Sequence, residues 1–598
     1  MTSNFTRSLL AITITLATTP AIANPAFQQT IFFGDSLSDS GYYRPLLPNE
    51  IQAITGKFTT NPGWVWSEYV ASYYGSNASP NGNGQTGNNY AAGGAHINEP
   101  SISILGEAPS LTSQTNTYLS AHGGKADPSA LYTLWGGGND LLDTLTTPEQ
   151  IHTIIGNATT AEISLVSTLK NAGARYIVVA TIPDLGLAPR ARSTGTSAQS
   201  TAAANAYNTT LFTGLKSAGL QVIPIDTFHL LEELITSPAT YGFSDTTNTA
   251  CTLTLPLCNP TTLVDTNAPN TYAFADDIHP TTAAHHMLGQ YAISILEAPR
   301  LQQVLTRSAQ GIARARAYQV AWHLDGTPQQ DGLHWWGSMR SDSQRNDSND
   351  LYKSVAPAGL FGFDWNSGQI VSGSFIGYGR MHADFSNGNG TFKQKDTTLG
   401  GFSGWYTGPV WVNAQISYTL LNYDIKREVQ LGPATRVHRG SPNGSNLTVA
   451  LNASYEMGEG RLRYGSVAGL TWQKTKLESY TEQNASSTAL GYPDQQLNSL
   501  LGRVGLQMRL EGNVVTPYLQ VTYDHEFKKQ QNQANAWLQT MPEAGIYSVP
   551  GLTFNRNYAS SIVLGARTKI GHLQSNVGLT TSTEKNARDV TLFVNGSF

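Results

Sequence analysis

The C-terminal half of this 598-residue chain alternates apolar and polar residues one for one over stretches long enough to cross a bilayer. Val410, Val412, Ala414, Ile416 and Tyr418 fall on one face of such a stretch, with Trp411, Asn413, Gln415 and Ser417 on the other. Leu519, Val521 and Tyr523 alternate in the same way with Gln520, Thr522 and Asp524. At the end of the chain Val590, Leu592, Val594, Gly596 and Phe598 oppose Thr591, Asn595 and Ser597. Side chains of a strand point to opposite faces in turn, so a period of two means strands with one apolar and one polar face. Such strands build either a soluble sandwich or a transmembrane barrel. Three observations favour the barrel. The stretches often exceed the ~9–11 residues a tilted strand needs to cross. Their polar faces would be costly in a sandwich core but suit a hydrated lumen. The last strand is apolar on one side and ends on an aromatic residue. Turn residues across 330–598 leave room for roughly twelve strands, an even number as bacterial barrels prefer, within a barrel domain set at 326–598.

A barrel in an outer membrane requires export, and the N-terminus carries a signal for it. Arg7 is followed by a largely apolar run from Leu9 to Ala17 and by Ala21-Ile22-Ala23, a small-x-small cleavage pattern. Residues 1–23 read as a secretory signal peptide, with the mature chain starting near Asn24. The run is too short for the ~20 residues of a spanning helix, and no later segment supplies one. Membrane residence therefore has to use strands. Only 13% of residues are charged and the net charge is −5, which gives no case for nucleic-acid binding. The two cysteines, Cys251 and Cys258, lie close together in an exported chain, where an oxidising compartment favours a local disulfide.

Residues 24–300 have a different rhythm. Ile31-Phe32-Phe33, Leu131 to Trp135, Tyr176 to Ala180 and Val222 to Ile225 are short apolar runs, most of them bounded by Gly, Pro or Asp. Helix-like stretches such as 151–172 and 198–218 lie between them. This alternation predicts an α/β domain with a mostly parallel sheet and functional residues at the strands' C-terminal ends. Between the halves, residues 301–324 read as a helix with Arg307, Arg314 and Arg316 among small residues. It fits the last helix of the N-terminal domain and equally a helix threading the barrel lumen; one long helix could do both. A segment at 301–325 is therefore set apart as a linker.

Three segments of the N-terminal domain together hold the parts of an acyl-transfer site. Gly34-Asp35-Ser36-Leu37 follows an apolar run and places Ser36 where a strand ends and a helix could begin. A serine hydroxyl needs a base to become a nucleophile. His279 offers one, and Asp276 or Asp277 could orient it and stabilise its protonated form. Asn139, after Gly136-Gly137-Gly138, offers a side-chain amide to an oxyanion, and Gly94, in Ala92-Gly93-Gly94-Ala95, a backbone N–H. Taken singly, each segment is ordinary turn chemistry.

Together, and in this order, they resemble the blocks of the GDSL (SGNH) hydrolases. Gly34-Asp35-Ser36-Leu37 followed by Ser38-Asp39-Ser40-Gly41 is similar to the first block, Gly94 to the second, Gly138-Asn139-Asp140 to the third, and Asp276-x-x-His279-Pro280 to the fifth. The C-terminal half resembles an autotransporter β-domain, and the whole chain the autotransporter esterases and lipases of Gram-negative bacteria. The resemblance implies an SGNH-hydrolase passenger with Ser36 as nucleophile, His279 as base and Asp276 as orienting acid. It implies Ser36, Gly94 and Asn139 as oxyanion donors, with Gly93 an open alternative to Gly94. It also implies a carboxylic ester or lipid substrate, no metal and no cofactor. Outer-membrane lipid and the outer-membrane assembly machinery would be the barrel's partners. A competing function class is a surface adhesin, with 61–66 and 81–84 as aromatic and polar loops for a host-cell surface. The same loops could instead form a lid or the wall of an acyl pocket.

Overall fold

The computed structural model describes residues 26–103, 105–144, 148–326, 331–346, 352–528, 533–552, 557–570, 573–584 and 587–597. The signal-peptide reading of residues 1–23 and the terminal Phe598 lie outside them.

In the N-terminal domain, strands Thr30–Gly34, Leu131–Trp135, Tyr176–Ala180 and Ile223–Ile225 pair in that order, all parallel. Their side chains are buried without alternation, because helices cover both faces of a parallel sheet. Helices Ile151–Ala172 and Ser197–Ser217 fall where the sequence puts them. The first ends at Gly173, whose φ of 116° stops it. Parallel strands all deliver their following loops to one edge of the sheet, so residues 35–41 and 136–139 emerge side by side. The histidine loop arrives differently. It follows Tyr272–Phe274, which pairs with Asp245–Thr249 outside the main sheet.

One 42-residue helix, Thr282–His323, then leaves this domain and enters the second. The sequence leaves open whether residues 301–324 end the N-terminal domain or enter the lumen; one helix, starting at Thr282 just after His279, does both. Pro299 lies inside it, with Ala298, Pro299 and Arg300 all buried, so packing on both sides carries the helix through a residue that ordinarily interrupts one. Cys251 and Cys258 are joined in a disulfide, with their Cα atoms 5.8 Å apart.

The C-terminal domain is a closed antiparallel barrel of twelve strands. Its first strand, Gly332–Asn346, pairs with Tyr352–Ser367 on one side and with the last, Ala587–Ser597, on the other. The apolar face points outward. On Val410–Leu431, Ile416 is 55% exposed and Gln415 4%. The long helix threads the lumen, one of the two places the sequence offers for residues 301–324, so the inward polar faces meet the helix. Ser308 donates to Gln394 at 2.7 Å, Gln319 to Ser338 at 2.6 Å, and Gln415 to the Ala317 carbonyl at 2.8 Å. Arg316, wholly buried, pairs with Asp396 and donates to Thr398.

At one end the barrel's connections fold over the N-terminal domain. Arg436 pairs with Glu233 at 2.7 Å, and Ser487 donates to the same carboxylate through its hydroxyl at 2.6 Å. The Thr540 hydroxyl donates to Asp226 at 2.6 Å, and the Tyr547 hydroxyl to the Ile295 carbonyl at 2.8 Å. The two domains are therefore joined by a helix and by a ring of polar contacts.

Candidate active site

Strand Thr30–Gly34 ends against the last residue of its neighbour. A Cβ at Gly34 would lie 2.6 Å from the Trp135 carbonyl oxygen, so only glycine allows the chain to turn there. Gln114 holds this corner by accepting from the Gly34 N–H and donating to its carbonyl, both at 2.9 Å. The sequence leaves room for a helix after Ser36, but the chain makes turns instead. Asp35 Oδ1 accepts from the Leu37 N–H, and Asp39 Oδ1 from those of Gly41 and Tyr42. These short carboxylates capture the N–H groups that a helix would otherwise use. Ser36 is left in a turn, 7% exposed at the floor of a cavity.

Ser36, 243 residues away in the chain, meets His279 across a 2.8 Å contact between Oγ and Nε2. The other ring nitrogen, Nδ1, lies 2.9 Å from both carboxylate oxygens of Asp276. Asp276 Oδ1 also accepts from the backbone N–H groups of Ile278 and His279, at 3.0 and 2.8 Å. The loop is closed by Ala275 N–H donating to the His279 carbonyl at 2.7 Å. Asp277 faces elsewhere, forming a half-exposed pair with Arg190 at 2.8 Å. His285 is fully buried and accepts at Nδ1 from the Trp66 N–H, while His286 packs on Tyr69.

Gly93 and Gly94 are separated by their partners. The Gly93 N–H donates to Asp39 Oδ2 at 2.9 Å and its carbonyl accepts from the Tyr43 hydroxyl at 2.7 Å. Gly94, at φ 84°, lines the cavity, and its N–H has no partner among the described residues. Asn139 is the second residue of the helix Gly138–Thr144, and its amide donates one hydrogen to the Ala95 carbonyl at 2.9 Å. An amide has two hydrogens, so the second remains for a ligand.

Burial and charge tune the set in opposite directions. Burial works against a proton on His279, but the charge and hydrogen bond of Asp276 outweigh it and raise the pKa above the ordinary histidine value. Burial would raise Asp276, yet the His279 charge and hydrogen bonds hold it well below the carboxylate range. For Asp35 and Asp39 burial outweighs the backbone hydrogen bonds each accepts and pushes each to about 6. His285 is driven down to about 3 by burial and stays neutral.

The cavity over these groups measures about 440 Å³. Its apolar wall comes from Ile102, Leu105, Leu142, Pro183, Leu255 and Ile278. Neither 61–66 nor 81–84 lines it; Trp66 is a core residue, 2% exposed, edge-on to Phe32. Among the described residues no cluster of His, Cys, Asp and Glu has the makings of a metal site.

Residues 31–292 match the family model described as GDSL-like lipase/acylhydrolase, and residues 335–575 the one described as autotransporter beta-domain. The chain belongs to the GDSL esterases and lipases of the autotransporter type. It is 26% identical to Esterase EstA of Pseudomonas aeruginosa over 93% of each chain. With Lipase 1 of Photorhabdus luminescens it shares 25% identity over 88% of this chain and 89% of the other. The translocator domain of autotransporter NalP from Neisseria meningitidis superposes with a TM-score of 0.41 at 14% identity, covering 50% of this chain and 97% of that one.

In this GDSL hydrolase the block around the serine does two jobs. Ser36 opens onto the cavity, while Asp39, three residues on, reaches back to fix the Gly93-Gly94 turn. In the sequence, Asp39 is marked only by its place in the block, which assigns it no task. Gln114 and Tyr43 carried no signal at all, since each acts through backbone groups far away in the chain.

Proposed function

We propose that the protein is a cell-surface serine carboxylester hydrolase held in the outer membrane by its own barrel. The observation that carries this reading is the unbroken relay from Ser36 Oγ through His279 to Asp276. His279 Nε2 takes the Ser36 proton as Oγ attacks the ester carbonyl carbon. Negative charge develops on the carbonyl oxygen, which the N–H groups of Ser36 and Gly94 and the Asn139 amide receive. His279 then protonates the leaving alkoxide, giving an alcohol and an acyl-Ser36 ester. Water, deprotonated by the same nitrogen, attacks the acyl carbon and releases the acid and free Ser36. Asp276 holds the imidazole with Nδ1–H toward it and stabilises its protonated form.

The domain scheme belongs to the same proposal. Residues 1–23 direct export, residues 24–300 form the hydrolase, residues 301–325 connect, and residues 326–598 insert in the outer membrane through its assembly machinery. A helix shared by both domains and the polar ring around Glu233 and Asp226 support a passenger that stays attached. Intact cells should hydrolyse an added ester, and an organophosphonate probe should label Ser36. Ser36→Ala should lower kcat by about four orders of magnitude or more while leaving the folded barrel intact. Full hydrolysis by Ser36→Ala would refute the mechanism; activity only in lysed cells would refute the surface location.

A further inference from the structure

Behind the catalytic cavity lies a second, smaller chamber of about 60 Å³. It occupies the space under the histidine loop, between helix Thr227–Thr236 and the first turns of the long helix. Leu230, Leu234, Phe243, Phe274, Ala284 and Leu288 form its far side. Polar side chains contribute almost nothing: Asp184, Thr227 and Trp135 are the lining residues that carry polar atoms, and these are engaged elsewhere, Asp184 with Gly186 and Thr201, Thr227 and Trp135 with the Thr181 carbonyl. An apolar chamber of this kind has no groups to hold water and is a favourable place for hydrocarbon. It adjoins the catalytic cavity directly, because Leu37, Trp135, Pro183, Leu185 and Ile278 line both. Ile278, between Asp276 and His279, is only partly buried and stands in the partition.

We propose that this chamber takes the distal methylenes of the substrate's acyl chain, with Ile278 and Leu185 as the partition the chain must pass. The proposal rests on the ester-hydrolase reading and adds a substrate class to it, esters of medium-length unbranched acids. Short acyl groups end within the catalytic cavity and gain nothing from the chamber. Longer chains bury further methylenes, each worth several-fold in binding. The far walls are held in place from outside the hydrolase domain. Helix Thr227–Thr236 is tied to barrel connections through Glu233 and through its cap Asp226, and Leu288 sits on the helix that continues into the lumen. The chamber's length is therefore set by the joint between the two domains.

The test uses the full-length, membrane-inserted protein and nitrophenyl esters from acetate to palmitate. Ala284→Leu, which fills the chamber, should lower kcat/KM for octanoate about tenfold or more relative to acetate. Leu230→Ala, which enlarges it, should move the preferred chain toward laurate. Labelling of Ser36 by a small organophosphonate is measured alongside for each protein. A variant that labels at the wild-type rate is folded and competent, so its chain-length profile reports on the chamber alone. Unchanged profiles in both variants would overturn the proposal. Should Ala284→Leu fail to label, Leu230→Ala decides by itself. Absence of labelling in the wild-type protein would instead refute the ester-hydrolase reading on which the chamber depends.

Discussion

The two halves of this molecule obey one burial rule with opposite signs. In the hydrolase, strand Leu131–Trp135 is buried at every position and is apolar at most of them. In the barrel, strand Val410–Leu431 hides Asn413, Gln415 and Thr419 and turns Val412, Ile416 and Leu420 outward. Lipid replaces water as the surrounding solvent, so exposed apolar surface there is favourable, and the polar side chains go to the interior. A polar interior still needs partners. The hydrolase core is mainly apolar, whereas the barrel core combines apolar clusters, such as Leu305 and Ile312 against Phe392 and Tyr423, with hydrogen bonds and ion pairs to a helix supplied by the other domain. Buried charge is architectural in the barrel, and in the hydrolase some of it is too: Asp39 fixes the Gly93-Gly94 turn and Asp226 caps helix Thr227–Thr236.

The largest expected effect comes from breaking a lumen pair. Arg316→Met leaves Asp396 charged and unpartnered and should cost about 3–5 kcal/mol. The urea midpoint for loss of the heat-modifiable folded form would register it. Combining it with Asp396→Leu should restore most of that stability, since removing both partners avoids a lone buried charge. A double variant as weak as the single one would mean that the pair is not what holds the helix. Next, Asn139→Ala should reduce kcat by roughly 10²–10³ with KM nearly unchanged, while barrel stability stays at the wild-type level. A rise in KM alone would assign Asn139 to substrate binding.

The outward face gives the third contrast. Ile416→Arg should destabilise the barrel by about 2–4 kcal/mol where that residue meets the bilayer midplane. Protein that does assemble should hydrolyse esters with unaltered kcat. Equal tolerance of arginine at Ile416 and of wild-type isoleucine would contradict a lipid-facing surface. The smallest effect is a displacement in pH. His279 must be neutral to accept the Ser36 proton, and Asp276 raises its pKa. Activity is then present above that raised value and lost as pH falls through it. The acid limb of kcat/KM should lie on the alkaline side of ~6.5, the ordinary histidine value. Asp276→Asn, which removes the charge, should lower kcat and move the limb toward acid. A wild-type limb below the ordinary histidine value would break the link between this geometry and catalysis.

Local pattern determined much of this protein. A period of two at residues 410–418 announces a strand with two unlike faces, and Gly34-Asp35-Ser36-Leu37 announces a strand-end turn, because both depend on neighbours within a few residues. Helix Ile151–Ala172 is legible for the same reason, with its stop at Gly173. Other features were settled only by folding. Nothing in the spacing separates Asp276 from Asp277; the loop closed at Ala275 and His279 turns the first toward the imidazole, and Arg190 holds the second away. Gly93 and Gly94 are likewise indistinguishable until Asp39 and Tyr43 engage one of them. The lumen offered polar faces in sequence, but what fills it depends on a helix whose course through Pro299 is fixed by packing on all sides. Periodicity is written in consecutive residues and survives in any conformation of the chain. The meeting of Ser36 with His279 exists only once the parallel sheet and the histidine loop have brought two distant turns to one edge.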